Sequence, residues 1–85
     1  MKLTKEKVMK FVNAYKAIIY GRSGIPKKYK WVAVENDGSI WLYENEPVLN
    51  KEGEYWGRNG GRTDCLFSDF RAITVSNWDK LCFKL

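Results

Sequence analysis

Histidine is absent from this 85-residue chain, and cysteine occurs only at Cys65 and Cys82. Without histidine, the side chain that most often serves as a general base near neutral pH is missing. Two cysteines far apart in sequence make no zinc site unaided. They read as two reduced, mostly buried thiols or, alternatively, as one disulfide. Proline occurs twice and glycine seven times, largely in turn-like stretches, which is not the composition of a disordered chain. No apolar run approaches the roughly eighteen residues that span a bilayer, so no membrane partner is expected. The start, MKLTKEKVMKF, carries charges inside any apolar stretch, which argues against a signal peptide.

Acidic residues are also scarce where basic ones are dense. Residues 1–30 hold nine Lys/Arg against one Glu, a balance of +8. Residues 31–57 hold one Lys against six acids, −5, and residues 58–85 hold five Lys/Arg against three Asp, +2. The net charge of +5 therefore conceals a basic first third and an acidic centre. Such asymmetry points to nucleic acid or an acidic protein partner, or to no more than a solvated helix face and a basic loop.

The chain is long enough for one domain, residues 1–85, which buries roughly 60–65% of the surface its unfolded form exposes. Four tryptophans, five tyrosines and four phenylalanines supply large buried area to a small core. From Thr4 to Tyr20, the residues Val8, Phe11, Val12, Tyr15, Ile18 and Ile19 recur at three- to four-residue spacing and predict an amphipathic helix. Thr4 is its expected N-cap and Gly21 its expected left-handed terminator. Lys5 and Lys7 stand at the positive end of the helix dipole, an electrostatically poor choice that suggests a use for the charge beyond folding. The stretch Gly21–Lys30 reads as a basic loop.

The next stretch, KWVAVENDGSIWLYENE from Lys30 to Glu46, has two apolar runs around Asn36-Asp37-Gly38 and predicts a β-hairpin. A two-residue turn would set Val34 opposite Trp41 and Val32 opposite Tyr43. A three-residue turn with a Gly38 bulge would set Val34 opposite Ile40 and Val32 opposite Leu42. We prefer the latter because it gathers four aliphatic side chains into one quartet. The other face then carries Trp31, Ala33, Trp41 and Tyr43; in either register Ile40 and Leu42 share one side of their strand and Trp41 and Tyr43 the other. Residues Glu44–Gly61 read as turn-rich, with a short strand at Glu54–Trp56. Arg71–Ser76 reads as a strand, Asn77 as the cap of one helical turn, and Leu81–Leu85 as a last strand. The expected fold is α+β: one N-terminal amphipathic helix packed on a small twisted antiparallel sheet of three to five strands.

One helix covers one face of a sheet, and a stripe rich in Val, Ile and Phe is expected to cover the aliphatic quartet. Either the segment from residue 44 to residue 70 then folds over Trp31, Trp41 and Tyr43, or these rings form an exposed partner-binding face. In the second case Trp31, Trp41 and Tyr43 are the apolar anchors and Lys27, Lys28 and Lys30 steer the encounter. The alternative is nucleic-acid binding by Lys27, Lys28, Tyr29, Lys30, Arg58 and Arg62, with rings stacking on bases. No RNP-type motif, GXXG loop or zinc pattern accompanies those residues. Glu44 and Glu46, two apart, could share a face and bind a cation, although a solvated edge explains them equally. Gly57, Gly60 and Gly61 do not form a phosphate-cradling loop followed by a helix. No catalytic, metal or cofactor site is expected, and an enzyme is not the reading these residues favour.

The pattern Trp31-Val32-Ala33-Val34, Asp37-Gly38-Ser39, Leu42-Tyr43, Pro47, Tyr55-Trp56, then Asn77-Trp78 and Leu81, resembles small uncharacterised proteins encoded by bacteriophages and prophages. The likeness spans about the last two thirds of the chain and leaves out the helix. It implies a small α+β domain in the cytoplasm of an infected bacterium. It also implies a non-enzymatic accessory protein that binds and modulates a bacterial host protein, such as a defence or nucleic-acid-processing factor. A structural role in the virion is a third reading.

Overall fold

A computed structural model describes residues 1–68 and 74–85. Helix α1 runs from Lys5 to Tyr20, and the Thr4 hydroxyl caps it by accepting from the Lys7 N–H at 3.1 Å. Gly21, at φ 63°, ends the helix, and its N–H donates to the Ala17 carbonyl. A 3-10 turn at Gly21–Ser23 and the loop to Lys30 lead into the sheet.

Strands β1 (Trp31–Val34), β2 (Ile40–Tyr43), β5 (Thr63–Phe67) and β6 (Cys82–Lys84) form a four-stranded sheet in the order β5-β2-β1-β6, with every neighbour antiparallel. The β1–β2 hairpin adopts the register that pairs Val32 with Leu42 and Val34 with Ile40. The physical reason lies in its turn. The Gly38 N–H donates to the Glu35 carbonyl, the Glu35 N–H donates to the Ser39 carbonyl, and Gly38 takes φ 87°. A side chain resists that conformation and glycine does not.

α1 packs on the aliphatic face, as its stripe predicts. Val8 and Val12 are buried against Val32, Val34, Ile40, Leu42 and Leu66 in one cluster, with Val75 and Leu81 closing it. The stripe does not hold to the end of the helix. Phe11 and Tyr15 pack on Phe67, but Ile18 is 72% exposed. The last turn is tied down by a polar contact instead, the Tyr20 hydroxyl donating to Asp64. Lys5, poorly placed for the dipole, sets its ammonium 5.5 Å from the Phe83 ring centroid, where it gains cation–π attraction.

Several elements depart from the sequence reading. Glu44–Gly61 is not simply turn-rich: β3 (Val48–Asn50) pairs with β4 (Tyr55–Gly57) as a second, two-stranded sheet joined by a four-residue turn. β5 was also unforeseen, because TDCLF lacks clean alternation. A bulge explains how it fits: Phe67 pairs with Ile40 and Cys65 with Trp41, so Leu66 is the extra residue. Leu66 and Phe67 can then both join the core from adjacent positions. Of the strand expected at 71–76, residues 71–73 lie outside the described residues, and Thr74–Ser76 are not strand. Asn77 precedes a 3-10 turn at Trp78–Lys80 but does not cap it with its side chain. Its amide clamps Leu3, accepting from the Leu3 N–H at 3.0 Å and donating to the Leu3 carbonyl at 2.7 Å. Among the described residues, no helix is long and apolar enough to cross a membrane.

Leu42 is fully buried at the centre of the cluster. Leu42→Ala is expected to lower unfolding free energy by about 2–5 kcal/mol, with the urea midpoint as the measurement. A loss under about 1 kcal/mol would mean that this cluster is not the core.

Candidate functional site

The face opposite α1 carries Trp31 and Ala33 from β1, Trp41 and Tyr43 from β2, and Cys65 and Cys82 from the outer strands. It is not the open aromatic face on which Trp31, Trp41 and Tyr43 would stand as three free anchors. The β3–β4 hairpin folds over it. Tyr43 is only 4% exposed, and Trp31 and Trp41 are half-buried. The hairpin is fastened through Trp56. The Trp56 backbone N–H donates to the Glu35 carboxylate at 3.2 and 3.4 Å. Its indole N–H reaches the carbonyls of Val34 at 3.1 Å and Trp78 at 3.3 Å. The Trp56 and Trp78 rings meet edge to face at 6.2 Å. The indole N–H of Trp41 is likewise used within the fold, donating to Ser39 Oγ at 3.1 Å.

A shallow cleft of about 200 Å³ remains beside the hairpin, lined by Glu35, Trp41, Tyr43, Trp56, Arg58 and Thr63. Burial raises the Glu35 carboxyl above the ordinary carboxylate range; the Trp56 N–H opposes that rise and the charge on Asp37 adds to it. Burial also raises the Tyr43 hydroxyl.

The larger concavity lies on the other side of the sheet. A groove of about 630 Å³ runs between α1, the loop at residues 25–30 and the end of β6. Met9, Val12, Ile25, Pro26, Tyr29 and Leu85 give it an apolar lining, with Asn13 beside them. Lys16, Lys27, Lys30 and Lys84 complete it, and no Asp or Glu belongs to its lining. The single salt bridge among the described residues joins Lys51 to Asp79 at 3.6 Å, so it neutralises none of the groove lysines. Four lysines along one low-dielectric concavity raise the local concentration of anions.

The steering residues divide between these places. Lys27 and Lys30 line the groove, whereas Lys28 does not and sets its ammonium 5.2 Å from the Tyr29 ring centroid. Tyr29 forms part of the groove wall but is 8% exposed, too enclosed to present a ring face for stacking. Arg58 stands at the aromatic cleft, and Arg62 lines neither concavity, its carbonyl accepting from the Glu44 N–H at 3.1 Å. Lys16 and Lys84 were not among the residues singled out in the sequence. Lys16 looks like any lysine on a polar helix face, and only the approach of β6 to α1 makes the two neighbours of one groove. Glu44 and Glu46 lie beyond the end of β2 and do not form a same-face strand pair.

Cys65 and Cys82 are free thiols. Cys82 pairs with Ala33, Ala33 with Trp41 and Trp41 with Cys65, so three inter-strand spacings, ~14 Å, separate them. That distance excludes the disulfide considered from sequence. Burial pushes both thiols up, Cys82 to about 11, so both are protonated at neutral pH. Among the described residues, no group of three or more His, Cys, Asp or Glu side chains is placed to hold a metal ion.

No family model, curated protein or solved structure matches this chain.

The raised Glu35 carboxyl has a measurable consequence for stability. Below the unfolded-state value of 4.5 the group is protonated in both folded and unfolded chains and contributes no pH dependence. As pH rises through the folded-state value, the unfolded chain releases its proton more readily, and wild type loses stability. Glu35→Gln keeps an acceptor for the Trp56 N–H and removes that loss. Urea unfolding is expected to show equal stabilities near pH 4 and a variant at least as stable as wild type at pH 7. A variant clearly weaker at pH 7 would show that the ionised carboxylate is what holds the hairpin.

Proposed function

We propose that this chain is a non-enzymatic binding domain whose lysine-bordered groove receives an acidic, apolar-bearing segment of a protein partner. The observation that carries this reading is the coincidence, in one concavity, of an apolar lining with four lysines and no carboxylate side chain. The apolar wall offers burial to aliphatic side chains, and the ammonium groups offer charge-assisted hydrogen bonds to carboxylates. The basic first third of the chain supplies three of the four lysines, so the charge asymmetry acquires a location.

Nucleic acid is the weaker reading. Binding of single strands gains much of its energy from bases stacking on exposed rings. Tyr29 and Tyr43 are buried, and Trp31 and Trp41 are half-buried on the sheet face away from the groove. Tyr55, the most exposed ring among the described residues, follows Glu52 and Glu54, whose charge repels phosphate. The phage resemblance supplies a setting for the protein reading: an acidic surface on a bacterial host protein, engaged in the host cytoplasm.

Titration of a labelled peptide built from Glu and Leu, with a Gln-for-Glu peptide as control, tests this directly. The acidic peptide is expected to bind at least about ten-fold more tightly than the control. That preference should shrink as salt rises from about 20 mM to about 0.5 M and vanish in a Lys27→Glu/Lys30→Glu variant. Equal affinity for the two peptides would overturn the reading. Tighter, steeply salt-dependent binding of single-stranded DNA would replace it with the nucleic-acid alternative.

A further inference from the structure

The ligand chemistry that the groove asks for is present on the same molecule. The β3–β4 hairpin displays Val48, 56% exposed, and Tyr55, 45% exposed. Glu46, Glu52 and Glu54 stand exposed around them. Residues 46–57 contain three Glu and one Lys, and that Lys51 is paired with Asp79. The hairpin is therefore an acidic projection with apolar side chains at its surface. The groove is its complement in both respects, with lysines for the glutamates and an apolar wall for Val48 and Tyr55.

A chain cannot fill its own groove with its own hairpin. Trp56 fastens the hairpin to the sheet face opposite α1, while the groove is lined by Met9, Val12 and Lys16 of α1 itself. The occupant must come from another molecule. We infer that a second copy of this chain is a ligand of the groove, its acidic β3–β4 hairpin entering between Lys27, Lys30 and Lys84. This rests on the proposal that the groove takes acidic segments, and it names one such segment.

Two copies can each dock a hairpin in the other's groove, which closes an isologous pair, or successive copies can join head to tail through a heterologous contact. The contact rests on one short hairpin with two exposed apolar side chains, so the association is expected to be weak and concentration-dependent. It supplies a resting state in which a stronger acidic partner must displace the second copy.

Sedimentation of the full chain over a range of concentrations tests this, at about 50 mM and about 0.5 M salt. Wild type is expected to grow in mass with concentration at low salt and to return to monomer at high salt. Two charge reversals, with folding verified by circular dichroism, separate the surfaces. Lys16→Glu/Lys27→Glu/Lys30→Glu leaves only Lys84 against three glutamates and makes the groove acidic, and Glu52→Lys/Glu54→Lys makes the hairpin basic. Each variant alone sets like charges against like and should stay monomeric. An equimolar mixture of the two restores opposite charges at both contacts and should associate again. A wild type that is monomeric throughout, variants that associate as wild type does, or a mixture that fails to recover would each overturn the inference. If the Glu/Leu peptide still binds a strictly monomeric wild type, only self-recognition falls. If the peptide does not bind either, the groove reading falls with it.

Discussion

The contact between two valines of α1 and the aliphatic quartet of the β1–β2 hairpin is the interaction on which the molecule depends. Val8 and Val12 meet Val32, Val34, Ile40 and Leu42, and all six are essentially removed from water. Each such side chain contributes about 1.5–3 kcal/mol when fully buried. In a domain this short, few other side chains can supply that much. The contact also orients the remainder. It turns Trp31, Ala33, Trp41 and Tyr43 to the opposite face, because side chains along a strand alternate. It also places the lysine-bearing flank of α1 beside β6, where the groove forms.

The opposite face presents a second problem of burial, solved with polar fastenings. Ala33 and Tyr43 need cover, and the β3–β4 hairpin is too short to hold a core of its own. Trp56 serves both needs. Its ring covers apolar surface, and its two N–H groups find Glu35 and the carbonyls of Val34 and Trp78. The cost is a carboxylate drawn partly out of water, visible in the raised Glu35 carboxyl. The same fastening holds Glu52 and Glu54 of the hairpin on the side of the sheet away from the groove lysines. Charge separation along the sequence thus becomes charge separation in space, with a basic concavity on one side and an acidic projection on the other.

Much of the fold was legible because local chemistry was unambiguous. Thr4 and Gly21 bracket the helix as a cap and a positive-φ residue do, and Asp37-Gly38 dictates a turn whose register follows from where the backbone tolerates Gly38. What stayed hidden had weak local signals. β5 conceals its alternation behind a bulge at Leu66, and β3 is three residues whose partner lies across a four-residue turn. Ile18 and Ile19 continue the helix stripe in sequence, yet no sheet lies beneath them, since periodicity cannot tell where a neighbour ends. At the candidate site, Lys27 and Lys30 were legible as a basic loop. Lys16 and Lys84, on a helix and a strand far apart in the chain, carried no sign that they would meet.

The amino-acid sequence by itself determined the amphipathic helix, the hairpin, its two unlike faces and the uneven distribution of charge. These follow from spacing, capping and turn chemistry, which act over a few residues. Only the tertiary structure decided which face was covered, by what, and where the charges converged. Those outcomes depend on pairings between distant segments: Trp56 with Glu35 and Val34, β6 with β1, and α1 with the loop before β1. Such pairings are selected by burial and hydrogen-bond satisfaction over the whole chain, and no short window of sequence contains both partners.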